Sequence, residues 1–250
     1  MKVITFLAMA CVSSVGVAAI SGTPPRAGSD GSRPDASPGD SALIERFLQS
    51  GQPELRSYAA RRRLAASTWG GRMEAGLEAW TYLDPDGTFR FEIVQEEGSE
   101  LIRKRVLRAA LEAEQRSRQQ RDMDQAALTR ANYQFEVAEA APDGLVAIRL
   151  VPRRKSRMLL DGTVLARPDS GDLVRVAGRL SDPPSWWTRQ VDIVRRYARI
   201  QGVRVPVEMG STADVRIAGA SSFSMTYDYA MVNGHQVERA SKAEGAQATR

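Results

Sequence analysis

Asp84-Pro85-Asp86-Gly87, Ala141-Pro142-Asp143-Gly144 and Arg167-Pro168-Asp169-Ser170-Gly171 each interrupt a run of alternating apolar and polar residues. Proline presets φ at the first central position of a turn, aspartate bonds its own backbone two residues on, and glycine supplies the positive φ that closes a hairpin. Three such junctions describe a chain that is mostly antiparallel sheet. Outward from them, the alternation predicts strands over Met73 to Leu83 and Thr88 to Val94, with Phe89, Phe91 and Ile93 on one face. Tyr133 to Val137 pairs with Leu145 to Val151 across the second turn, and Met158 to Ala166 with Leu173 to Leu180 across the third. Thr188 to Ile200, Val203 to Val207, Val215 to Ala218 and Phe223 to Met231 follow. A meander of about nine or ten strands must close or curl steeply.

Two helical regions break the sheet pattern. Ser41 to Arg63 opens with a capping residue after Asp40 and carries Leu43, Ile44, Phe47 and Leu48 at helical spacing. It pauses at Gly51-Gln52-Pro53 and resumes in phase with Leu55, Tyr58 and Leu64. The second region, Glu100 to Ala131, contains neither Gly nor Pro, and Ile102, Val106, Ala109, Ala110 and Ala113 line one side of its first half. Its middle, Glu114 to Asp124, is almost wholly charged or amide and is expected to be solvated. A helix packed at its ends and wet in its middle is either a flap or a plain connection. The expected fold is α+β: a strongly curved, unclosed antiparallel sheet, a half-barrel, with helices covering its concave face.

Lys2 precedes an apolar stretch, Val3 to Ile20, and Val17-Ala18-Ala19 presents the small side chains that a signal peptidase accepts. Residues 1–19 are therefore expected to be a cleaved export signal. A membrane anchor is the other use of such a stretch, but this one is rich in small residues and has no basic stop beyond it. Cys11 is the only cysteine, and Ala8-Met9-Ala10 before it makes a poor lipidation motif. Cleavage after Ala19 leaves a mature chain without thiol or disulfide. Residues 20–40, with Pro24, Pro25, Pro34 and Pro38 among Gly, Ser and Asp, have too little to bury to become ordered and form a linker. Residues 41–237 form one domain, long enough to bury a core without staples, and 238–250 a flexible tail.

In the last strand Phe223, Met225, Tyr227, Tyr229 and Met231 point one way, and Ser224, Thr226, Asp228 and Ala230 the other. That large, soft face is either core beneath the helices or, with Phe89, Phe91 and Ile93, the lining of a cavity for flexible apolar ligands. Trp186 and Trp187, neighbours in an alternating strand, put one indole at a rim. The helix Leu43-Ile44-Glu45-Arg46-Phe47-Leu48, the meander with a helical insertion and the curved sheet resemble the periplasmic lipoprotein-carrier fold. That fold is shared by outer-membrane lipoprotein carriers and by the N-terminal domain of a periplasmic sigma-factor regulator. Gly171 to Leu180, with Tyr197 to Pro206 after it, also looks like exported bacterial proteins of this general kind. The resemblance implies an unclosed barrel, covered by helices, that holds acyl chains.

Enzyme chemistry finds little support in the residues. His235 is the only histidine and follows Asn233-Gly234 in a terminal turn, so neither a metal site nor a His-based triad is expected, and no catalytic residue is assigned. Glu74, Glu78, Asp161, Asp192 and Asp214 lie on or near strands, where outer-face charges are ordinary. Single glycines at turns do not cradle a phosphate, so no cofactor is expected. Against 30 acidic residues the 35 basic ones leave a net charge of +5, too small for a nucleic-acid footprint. Arg61-Arg62-Arg63 near a helix end and Arg153, Arg154, Lys155 and Arg157 between strands are either solvated surface or contacts for anionic headgroups or an acidic partner. The expected function is an exported non-enzymatic protein that binds a lipid or acyl chain in an apolar cavity and is peripheral to the membrane at most. The alternative is an envelope protein-interaction or sensor module with a filled core.

Overall fold

The computed structural model describes residues 38–119, 125–182, 188–216 and 219–238. After helix α1 (Pro38–Gln49) come β1 (Tyr58–Thr68), β2 (Met73–Leu83) and β3 (Phe89–Gly98). A contiguous helical segment follows, made of α2 (Glu100–Ile102), a π-helical stretch (Arg103–Arg108) and α3 (Ala109–Gln119). The remaining strands are β4 (Tyr133–Ala140), β5 (Val146–Pro152), β6 (Leu160–Ala166), β7 (Leu173–Leu180), β8 (Thr188–Ile200), β9 (Val203–Val215), β10 (Gly219–Val232) and β11 (His235–Gln236). Their order is β3-β2-β1-β10-β9-β8-β7-β6-β5-β4, antiparallel throughout, with β11 beside β10. The sheet is curved and open, because β3 and β4 end it without pairing to each other. It consists of two meanders, β1 to β3 and β4 to β10, welded where β1 pairs with β10.

The three turns that announce the sheet join β2 to β3, β4 to β5 and β6 to β7. The third also receives α1. Gly171 has φ +71°, and a Cβ built on it would lie 2.6 Å from the carbonyl carbon of Arg46. Glycine therefore serves both the turn and the close approach of the helix. Arg46 donates to the Pro168 carbonyl, and the fully buried Phe47 packs its ring 6.0 Å from that of Phe135 on β4. Helix α1 thus packs beside β4 and the β6–β7 turn. The segment Glu100–Gln119 lies on the sheet against β1, β2 and β3, with Ile102, Val106, Leu107, Ala110 and Leu111 buried. Large side chains buried in this way contribute about 1.5–3 kcal/mol each relative to exposure.

Several expectations need correction. The helix expected over Ser41 to Arg63 ends at Gln49, and Tyr58 to Thr68 is the central strand β1. Tyr58, Ala60, Arg62, Leu64, Ala66 and Thr68 face inward at a period of two, a pattern that the arginine hides from a count of apolar residues. Pairing on both sides, with β2 and β10, outweighs helical propensity here. The second helical region is described as helix only as far as Gln119, and residues 125–131 form a short 3-10 turn and bends. Glu114, expected to be solvated, is buried. Val203 to Val207 and Val215 belong to one strand, β9, whose alternation slips where Tyr197 pairs with Pro206, and residues 217–218 lie outside the described ones. Met231 leaves the inward face. Between β1 and β10 the register shifts so that Ala59 pairs with Met231 and Ala60 with Tyr229, which leaves Ala230 as a bulge. Beyond the bulge Val232 turns inward and Met231 is 39% exposed.

Candidate functional site

Arg62 projects from the middle of β1 into the concavity and is 1% exposed. The strand's alternation sets its direction, and small neighbours, Ala60 on its own strand and Ala79 across on β2, give the long side chain room. Glu114 comes to it from α3. The residue lies in phase with the apolar stripe of its helix, three residues after Leu111 and four after Ala110, so the helix that buries the stripe also buries the carboxylate. Arg62 donates from Nη1 to Glu114 Oε2 at 2.6 Å and from Nη2 to Oε1 at 3.3 Å, the two-pronged geometry that suits a guanidinium and a carboxylate. Arg118, one turn further along α3, donates to the same Oε1 from Nε at 3.3 Å and Nη2 at 3.2 Å. The Tyr58 hydroxyl accepts a further bond from Arg62 Nη2.

Aromatic rings surround this pair. The Arg62 guanidinium carbon lies 4.6 Å from the ring centre of Tyr227, 5.2 Å from that of Phe89 and 5.7 Å from that of Tyr58, close enough for cation–π attraction. Burial alone would push the Glu114 carboxyl up, but the charges of Arg62 and Arg118 and their hydrogen bonds outweigh it and hold the group below the usual carboxylate range. Burial works against the Arg62 charge too, but Glu114, Tyr58 and Tyr227 together outweigh it. Burial pushes the Tyr227 and Tyr229 hydroxyls up, so both stay neutral donors and acceptors at any ordinary pH. Arg195 of β8 is also buried, and its charge acts on Tyr133 and Tyr227. The interior is therefore apolar with a charged, hydrogen-bonded centre.

Seven of the eight residues expected to line a cavity share the concave face. Phe89, Phe223, Met225 and Tyr229 are buried, and Phe91, Ile93 and Tyr227 are half-buried against the same core. Met231 is the exception. This wall is covered by the helices. Two open depressions of about 280 and 380 Å³ lie on the opposite, outer face, floored by Ala65 and Gly76 and bordered by Glu97 and Ser224. Trp186 and Trp187 lie outside the described residues, as do the expected export signal with Cys11, the linker up to residue 37 and the tail from 239.

Two arginines of the second basic cluster hold local backbone. Arg153 donates to the carbonyls of Arg130 and Tyr133, and Arg154 to the Asn132 side chain and the Gln125 carbonyl. Arg157 stands 3.8 Å from Asp182, and Lys155 is exposed. Arg61 and Arg63 flank Glu78 on the outer face. The strand carboxylates pair in the same way, Asp161 with Arg149, Asp192 with Arg179 and Asp214 with Arg189. Among the described residues no group of three or more His, Cys, Asp or Glu is placed to hold a metal ion. No helix among them is long and apolar enough to cross a membrane.

Sequence reasoning did not single out Arg62, Glu114 or Arg118 as a unit. The signal for Arg62 was the period-two frame from Tyr58 to Thr68, and the signal for Glu114 was its phase on the stripe. No protein-family model and no curated protein sequence matches the chain. Solved structures do resemble it. A DUF1329 family protein from Desulfovibrio piger is 10% identical with a TM-score of 0.40, over 76% of this chain and 91% of that one. A LolA superfamily protein from Nitrosomonas europaea is 8% identical with a TM-score of 0.39, again over 76% and 91%. The complex of MucA and MucB from Pseudomonas aeruginosa aligns at 11% identity and a TM-score of 0.22, over 76% and 93%.

Proposed function

We propose that this chain is an exported, non-enzymatic binding protein that takes a lipid or acyl chain against the concave face of its sheet, in the place that the segment Glu100–Gln119 occupies here. The observation that carries this is the ion pair of Arg62 and Glu114 at the centre of an otherwise apolar helix–sheet contact, with side chains 2% and 9% exposed. Apolar residues of similar volume would hold the helix as well or better, so stability alone does not account for a buried pair. A contact that is worth little in place yet fixes one arrangement suits an element that must seat and leave. The six residues Arg103 to Arg108 form a π-helical stretch at the start of that element, an irregularity frequent at functional sites. The wall beneath is large, aromatic and soft, and would follow a flexible chain.

The burial of Phe89, Phe223, Met225 and Tyr229 in the helix-covered core favours a second reading, a partner-binding module of the cell envelope whose core stays closed and whose exposed apolar residues, among them Trp69, Val94 and Leu101, meet a protein. Native mass spectrometry of the mature protein, purified in mild conditions from the exported fraction and followed by organic extraction, separates the two. Stoichiometric lipid that is lost in a folded Tyr227→Asp variant is the expected result. A clean protein mass that also takes up no added fatty acid or phospholipid would refute the lipid-binding proposal and favour the partner module.

A further inference from the structure

Resting on the concave-face reading, we infer that the ligand is an anionic amphiphile, and that its oxyanion head takes the place of the Glu114 carboxylate on Arg62. The geometry around Arg62 is already that of a carboxylate receptor. Two guanidinium nitrogens meet two carboxylate oxygens, the Tyr58 hydroxyl fixes the guanidinium from the side, and the rings of Tyr227 and Phe89 flank it. The carboxylate that fills this receptor is carried by the same segment that covers the apolar wall. Helix and carboxylate therefore form one unit with the outline of a fatty acid: an apolar length, Val106, Leu107 and Leu111, ending in Glu114.

Two physical consequences follow from that arrangement. A neutral lipid that lifts the segment would strand the Arg62 charge in an apolar interior, which is costly. An anionic lipid restores the pair as it enters, so only the exchange of one carboxylate for another has to be driven. Arg62 stays on the rigid central strand while Glu114 departs, which makes Arg62 the ligand-anchoring residue and Glu114 its internal competitor. The apolar chain then lies on the strand the helix uncovers, along Phe89, Phe91 and Ile93 on β3.

The test compares dansyl-labelled undecanoic acid with the matching undecanol at neutral pH on the full chain, by fluorescence titration. Charge-assisted hydrogen bonds are worth enough that the acid is expected to bind roughly tenfold tighter or more. In Glu114→Gln the acid tightens further than the alcohol does. Arg62→Met alone leaves Glu114 short of its partner and risks misfolding, so the paired variant Arg62→Met with Glu114→Met is used, with folding checked by circular dichroism. It is expected to bind both probes equally. Equal binding of acid and alcohol by the unmodified chain, or a preference that survives in the paired variant, overturns the anionic head while leaving the concave-face reading in place. Failure of both probes to bind overturns both.

Discussion

Replacing Arg62 with Met should show that the pair is buried and coupled. The guanidinium and carboxylate meet at 2.6 Å with side chains 2% and 9% exposed, so truncating one partner leaves the other charged and shielded from water. Breaking such a pair costs about 3–5 kcal/mol. Arg118, which reaches Glu114 at 3.2 Å in the parent, is left in place, which sets the expected loss near the lower end, about 3 kcal/mol at pH 7. With a urea dependence of about 1–3 kcal/mol per molar, the unfolding midpoint falls by about 1–3 M. Adding Glu114→Met removes the stranded charge, and the doubly substituted chain should recover to within about 1 kcal/mol of the parent or exceed it. The cycle of four proteins then yields a coupling energy of about 2 kcal/mol or more. A loss below about 1 kcal/mol for Arg62→Met, or a double variant as weak as the single one, would refute a buried and coupled pair.

Acid should weaken the helix–sheet contact. Glu114 has its folded pKa below the ordinary value of 4.5, so its contribution is complete above that value and is lost as the pH falls through the lower, folded one. Glu96, held down by its hydrogen bond from Arg108, and Asp172, held down by Arg199 against its burial, act with the same sign. Stability measured from pH 6 down to about pH 2 should therefore fall in every chain, but less steeply in the double variant. Met225→Asp should unfold the domain or cost several kcal/mol, on the order of 3 or more, whereas Met231→Asp should change stability by less than about 1 kcal/mol; similar thermal midpoints for the two would contradict the bulge at Ala230. Gly98→Ala should cost more than about 2 kcal/mol, because φ is +76° and the new Cβ would sit 2.4 Å from the Glu74 carbonyl at the root of the helical segment. A midpoint within a degree of the parent would mean that this approach is looser than described.

The turns made the sheet legible, and they did so because proline, aspartate and glycine act through local backbone conformation. Strand β7 was readable to its end residues, since alternation and turn chemistry agree there. Strand β1 was not, because Tyr58, Leu55 and Leu64 also fit a helical period and the decisive neighbours on β2 and β10 are distant in sequence. The bulge at Ala230 was invisible for a similar reason: nothing in Tyr229-Ala230-Met231 marks a slip, which arises from fitting β10 to β1. The aromatic wall was found through its alternation. Its charged centre was missed because a single charge among other charges, Arg62 between Arg61 and Arg63 or Glu114 before Gln115 and Arg116, reads as solvated until pairing shows which one turns inward.

Hydrogen exchange of the full chain, with and without dansyl-labelled undecanoic acid, tests the exchange of helix for ligand most directly. At saturation the amides of Arg103 to Gln119 should lose protection while those of β1 and β10 keep or gain it. Bound probe with the segment still fully protected, or no bound probe at all, would contradict the proposal that the ligand takes the place of the helix.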